Sequence, residues 1–230
     1  MNKNIAKIMI LGSSTKIGKF LEKKIEGSIT YCRLNNGDLL DFLSKNPASK
    51  NHLIINLIND NTSSEQNIFL TNRIINYCNI HNCTLIHISS QIVYSKLHSS
   101  LLKIKSKDEV ESSYTRNKIE QENLVVKNSR KFKIIRSGYL CNSKTEINFN
   151  LFKLFIVSKK PKNSVLFYCL FEDLKKSIFK DDVYVNAISG KILMKDLLHS
   201  TIFIPKWIYI LVSMFKPSLK PKINELIYEG

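Results

Sequence analysis

Between residues 6 and 136, short apolar runs alternate with stretches of helical periodicity, and few folds accommodate that rhythm. AKIMIL (6–11), ITYCRL (29–34), LIINLI (53–58), TLIHIS (84–89) and KFKIIR (131–136) read as strands, LIINLI as one covered on both faces. Helices are expected from the glycine-containing turn after residue 11 to Gly27, in DLLDFLSKN before Pro47, over 65–80, and from Ser113 to about Val126. Residues 95–111 are polar and irregular. Strand–helix alternation of this kind builds an α/β fold, a doubly wound parallel sheet with right-handed crossovers and helices on both faces. Beyond residue 136 the rhythm is lost, with helix-like stretches at 146–158 and 181–198, then the apolar run 202–215 and a Lys/Pro tail. The expected division is a main domain over 1–140 and a small, shortened C-terminal region over 141–230 packed on it.

Composition narrows the function classes. At 43% hydrophobic and 23% charged residues, the chain is an ordinary globular protein, neither disordered nor collagen-like. Its formal net charge of +16 raises the question of nucleic acid, but only five of the 35 basic residues are Arg. The excess is spread along the chain and no nucleic-acid motif accompanies it, so a solvated lysine surface is expected and nucleic acid is not. Five cysteines without a CxxC or metal spacing point to reduced thiols in a reducing compartment and to no metal site. No apolar run reaches the roughly 18–20 residues of a spanning helix, so a cytoplasmic protein is expected. The stretch 202–222, with Trp207, Tyr209, Lys216, Lys220 and Lys222, reads either as a helix packing the C-terminal region or as a peripheral membrane contact.

Two local patterns carry chemistry. The first is Gly12-Ser-Ser-Thr-Lys-Ile-Gly18 between a strand and a helix. Gly12 suits the sharp turn, Gly18 suits close helix–strand packing, and the N–H groups from Thr15 through Ile17 to Gly18 suit a pyrophosphate. An ordinary strand–helix turn has the same spacing. Arg33, about 20 residues on, replaces the acidic residue that selects an unphosphorylated ribose; it is either a surface charge or a cation for the extra phosphate of NADP.

The second pattern is Ser89-Ser90-Gln91-Ile92-Val93-Tyr94 after the strand TLIHIS, followed 24 residues beyond Ser90 by Tyr114-x3-Lys118. Residues four apart share one helix face. An ammonium beside a phenol stabilises phenolate and is expected to lower the Tyr114 pKa from about 10 toward neutrality. Tyr114 then exchanges a proton as hydride moves at the neighbouring carbon, and the Ser90 hydroxyl holds the substrate oxygen.

With these motifs in family order (GSSTKIG, IINLIND, HISSQIVYS, YTRNKIEQE, KIIRSGYL), about residues 5–140 resemble the extended short-chain dehydrogenases/reductases of the NAD-dependent epimerase/dehydratase family. The compact layout is most similar to the dTDP-4-dehydrorhamnose reductase branch. The resemblance implies a Rossmann-type domain binding NAD or NADP, with NADP favoured by Arg33. It implies Ser90, Tyr114 and Lys118 as catalytic residues, and Gly12, Thr15, Ile17, Gly18, Arg33, Asp38 and Lys118 around the cofactor. Asp38 matches the acidic residue that contacts adenine, and Asn67 a structural or active-site asparagine. Three departures stand out: Thr15 in place of the middle glycine, Gln91 and Ile92 where dehydratases carry acid and base, and Ser137 in place of a proline. The implied activity is NAD(P)-dependent oxidoreduction of a nucleotide sugar in surface polysaccharide biosynthesis, with keto-sugar reduction ahead of epimerisation. The implied partners are that substrate and a second copy of the chain. A non-catalytic binding or scaffold protein on the same fold is the alternative.

Overall fold

A computed structural model describes residues 7–59, 63–95, 103–110, 112–146 and 165–193. The described residues fall into two compact units. The first draws on Met1–Ser89, Asn117–Arg136 and Lys175–Asn186; the second on Ser90–Arg116, Ser137–Leu174 and Ala187–Gly230.

The first unit is organised by a six-stranded sheet in the order β2-β1-β3-β4-β5-β8. Its strands are β1 (Ile8–Leu11), β2 (Ile29–Tyr31), β3 (Leu53–Asn56), β4 (Thr84–Ser90), β5 (Phe132–Ser137) and β8 (Tyr184–Ala187). β1 pairs in parallel with β2 and β3, and β3 with β4, in the register Leu11↔Asn56↔His87. This is the expected Rossmann-type arrangement, and the order reverses at β1, where such folds place ligands. All four residues of β1 are buried, as a central parallel strand requires. Met9, Leu11, Ile54 and Leu85 pack with Ile74, Ile75, Val125 and Ile134 in the main core.

The helices follow the sequence closely. α1 (Lys16–Lys24) buries Ile17, Gly18 and Leu21. α3 (Leu39–Lys45) starts on Asp38, whose carboxylate accepts the N–H groups of Leu40 and Asp41. α4 (Ser64–Ile80) starts on Ser63, whose hydroxyl accepts from Gln66 N. α5 (Ser113–Asn128) carries a stripe of buried polar residues: Asn117, Lys118, Gln121 and Glu122. Burying such groups costs free energy unless they are paired, and Lys118 and Glu122 have partners in Ile88 O and Arg136.

Two expectations are corrected. ITYCRL does not run as a strand to Leu34: β2 ends at Tyr31 and α2 (Arg33–Asn36) follows. The Asn36 carboxamide accepts the Cys32 N–H at 2.8 Å and folds the chain back on itself, and the Tyr31 hydroxyl closes the loop on Gly37 O at 2.9 Å. The helix expected over 181–198 is instead β8 followed by β9 (Gly190–Leu193). In β8, Val185 and Ala187 are buried while Tyr184 and Asn186 are exposed, a period of two rather than 3.6. Residues 194–230, including 202–222, and most of 146–158 lie outside the described residues.

The second unit holds a three-stranded sheet in the order β6-β7-β9, with β6 at Tyr139–Cys141 and β7 at Val165–Leu170. β6 and β7 pair in parallel, β7 and β9 antiparallel. α6 (Phe171–Ile178) follows β7. Near its start the Ser189 hydroxyl donates to Asp173 at 2.6 Å and accepts from Leu170 N at 2.7 Å. In the first unit, the Lys133 ammonium donates to Ile178 O at 2.9 Å and to Lys180 O, satisfying carbonyls at the end of α6. All five cysteines are buried, free thiols. No helix among the described residues is long and apolar enough to cross a membrane, and no metal-binding group of side chains occurs among them.

Candidate active site

The turn after β1 is built by two glycines. Gly12 has φ +98°, and a Cβ there would meet the main chain at Leu57 C at 3.0 Å. Its N–H and that of Ser13 both donate to Tyr31 O at 2.9 Å, tying the turn to the end of β2. A Cβ on Gly18 would lie 2.5 Å from Gly12 O and 2.7 Å from Ser13 Cα. Both obstacles are main chain, so Gly18→Ala is expected to cost about 1–3 kcal/mol through forced backbone shifts. A urea midpoint equal to wild type would contradict this.

Thr15 is the N-cap of α1. Its hydroxyl accepts Gly18 N–H at 3.0 Å and donates to Gly12 O at 2.9 Å. The side chain therefore spends its proton and a lone pair inside the turn. The turn suits a dinucleotide phosphate in that it opens α1 at its positive end, while its two glycines are demanded by the close approach of the chain's own atoms. Ile17 is buried, so what it offers a phosphate is its main chain. Arg33 is exposed at the start of α2, beside Leu34, which is 90% exposed. Asp38 is exposed, with its carboxylate engaged as the cap of α3. Asn67 is buried on α4, and its amide donates back to Ser63 O at 3.0 Å.

In the second unit, Ser90 ends β4 and caps the 3-10 turn Gln91–Val93 through Ile92 N at 3.4 Å. Its side chain is hydrogen-bonded to the Tyr114 phenol. Desolvation raises the pKa of Tyr114 above its ordinary value, only partly offset by the Ser90 bond. The expected fall toward neutrality is not what the structure shows, because burial of the ring outweighs the stabilisation its hydroxyl receives. Gln91 and Ile92 are both buried, with no carboxylate at either position.

Lys118 lies one turn after Tyr114 along α5 and belongs to the first unit. It is 6% exposed, and its ammonium donates to Ile88 O at 3.3 Å. Desolvation lowers its pKa to about 8, against an opposing pull from Glu122. Burial, with a smaller contribution from the Lys118 charge, drives His87 down to about 3, so its imidazole is neutral beside Asn56 at 3.5 Å. Glu122 accepts three hydrogen bonds from Arg136: from Nε to Oε1 and Oε2 at 3.1 Å each, and from Nη2 to Oε2 at 2.7 Å. This pair was missed in the sequence, where the only clue is a glutamate four residues after Lys118.

No family model and no curated protein matches the sequence. Solved structures match in fold. A dTDP-4-dehydrorhamnose reductase from Clostridium acetobutylicum superposes with a TM-score of 0.62 at 18% identity, over 83% of this chain and 77% of that one. A dTDP-4-dehydrorhamnose reductase from Bacillus anthracis, solved with NADP, gives 0.59 at 14% identity, over 82% and 76%. The UDP-N-acetylglucosamine 4-epimerase of Bacillus cereus gives 0.57 at 15% identity, over 84% and 79%. At these identities the likeness is one of architecture. The chain has a Rossmann-type α/β fold, the architecture it shares with these reductases and this epimerase.

Proposed function

We propose that this protein is an NAD(P)-dependent oxidoreductase of nucleotide sugars and that it reduces a keto sugar. The observation that carries the reading is the Ser90–Tyr114 hydrogen bond with a buried lysine on the next turn of the same helix. A phenol whose pKa lies above its ordinary value is protonated at neutral pH, the state a proton donor needs. Tyr114 gives its proton to the carbonyl oxygen of the sugar, and Ser90 holds that oxygen by a hydrogen bond. Lys118 binds the nicotinamide ribose. When bound, the reduced nicotinamide supplies the hydride. Gly12, Thr15, Ile17 and Gly18 seat the pyrophosphate, Asp38 lies toward the adenine, and Arg33 selects the phosphate of NADP. Lacking an acid and base at Gln91 and Ile92, the site is not suited to eliminate water. Residues 141–230 are proposed as the sugar-binding region, in a cytoplasmic enzyme of surface polysaccharide synthesis working as a homodimer.

The test is oxidation of NADPH or NADH by the purified protein with a panel of dTDP- and UDP-linked keto sugars. Cofactor-dependent reduction of any of them supports the reading. Interconversion of two sugars without net oxidation transfers it to an epimerase. Failure of either cofactor to shift the melting temperature at millimolar concentration leaves a non-catalytic binding protein.

Thr15 gives a second measurement. Thr15→Gly releases the Gly18 N–H to a ligand, while a glycine cap costs α1 only a few tenths of a kcal/mol. One hydrogen bond gained is worth about 1 kcal/mol, so NADPH affinity is expected to rise by roughly five- to tenfold. Weaker binding in this variant would count against the phosphate site.

A further inference from the structure

We propose that Glu122, clamped by Arg136, is a positioning residue that keeps the buried Lys118 ammonium charged and aimed at Ile88 O. Its functional meaning rests on the role given to Lys118 above, but the placement stands by itself. Glu122 is one helical turn beyond Lys118 on α5 and its side chain is 3% exposed. Three hydrogen bonds fix the carboxylate on the Arg136 guanidinium, whose own side chain is 11% exposed. That guanidinium is held in turn over the Tyr184 ring, 5.3 Å from its centroid.

The carboxylate that holds the Arg136 guanidinium thus sits one helical turn from the buried Lys118. A carboxylate used only to neutralise Arg136 need not lie on the lysine face of the helix; one at this position serves both. Within the first unit, His87 on β4 is neutral, Ile88 contributes a carbonyl, and Arg136 on β5 is a further positive charge. The Glu122 carboxylate acts to raise the pKa of the ammonium, against its burial.

The experiment titrates Lys118 in the full-length protein by NMR of 13Cε-labelled lysine, its resonance being the one lost in Lys118→Met. Glu122→Gln preserves shape and removes the charge. Its Lys118 midpoint is expected to fall by about one pH unit or more below wild type, the shift an adjacent opposite charge commonly produces. Glu122→Asp should restore most of it. A purely structural role predicts the opposite sign, since loosening admits water and moves the midpoint up toward 10.5. An unchanged or raised midpoint in folded Glu122→Gln overturns the proposal. If that variant does not fold, Glu122→Asp against Arg136→Lys, which keep the charges and shift their positions, supply the comparison: the Lys118 midpoint should follow the carboxylate, and a midpoint unmoved in Glu122→Asp and Arg136→Lys alike overturns the proposal. A lowered midpoint without NADPH binding by wild type sustains this inference and removes the enzymatic one. NADPH binding with an unmoved midpoint does the reverse.

Discussion

Tyr114→Phe is expected to lower turnover by roughly 10²–10⁴-fold while cofactor affinity stays within about twofold of wild type. The phenol ring is half-buried and the substitution keeps it, so packing is preserved. What is lost is one hydroxyl, with its proton and its bond to Ser90. Ser90 has a second contact, Ile92 N, and is not left without a partner. The loss should therefore fall on the chemical step and not on folding. Steady-state turnover with the keto sugar, beside NADPH titration of the same preparation, separates the two. Turnover equal to wild type would take Tyr114 out of the mechanism.

Lys118→Met is expected to move stability and activity in opposite directions. A fall in pKa from 10.5 to about 8 means that the fold disfavours the charged lysine by roughly 3 kcal/mol. Between those two values the unfolded chain keeps a proton that the folded chain has released, so the stability contributed by this residue rises with pH. Below about pH 8 the penalty is complete. Methionine fills similar volume and removes it, at the cost of leaving Ile88 O without its donor, worth about 1–2 kcal/mol. Glu122 keeps Arg136, so no orphaned carboxylate results. The net expectation at pH 7 is a gain of about 1–2 kcal/mol, shrinking as the pH approaches 10.5, together with a loss of turnover of roughly 10²-fold or more. Urea denaturation at pH 7 and at pH 10 reads the first, the reductase assay the second. A variant less stable than wild type at pH 7 would show that Lys118 is not held at a cost.

The sheet was legible because its strands are near-continuous apolar runs, and α4 and α5 because long amphipathic stretches are hard to mistake. The end of β2 was not, because one carboxamide, that of Asn36, redirects a chain with good strand propensity. β8 and β9 were misread because a short alternation around Tyr184–Ala187 is lost within lysine-rich, helix-favouring surroundings. In the candidate site, spacing singled out Ser90, Tyr114 and Lys118 as candidates. The direction of the Tyr114 pKa was not, since burial is a property of the packed chain. Arg136 reaches Glu122 across 14 residues and from another element, a pairing no local periodicity encodes.

The self-satisfied cap at Thr15 bears on how long a dinucleotide stays. A ligand phosphate arriving at α1 finds the Gly18 amide already occupied and must trade one bond for another, so its net gain is small and its departure quick. Short residence suits a co-substrate that leaves spent and is replaced after each catalytic cycle. It suits poorly an enzyme that must retain one nicotinamide while the sugar is oxidised and then restored.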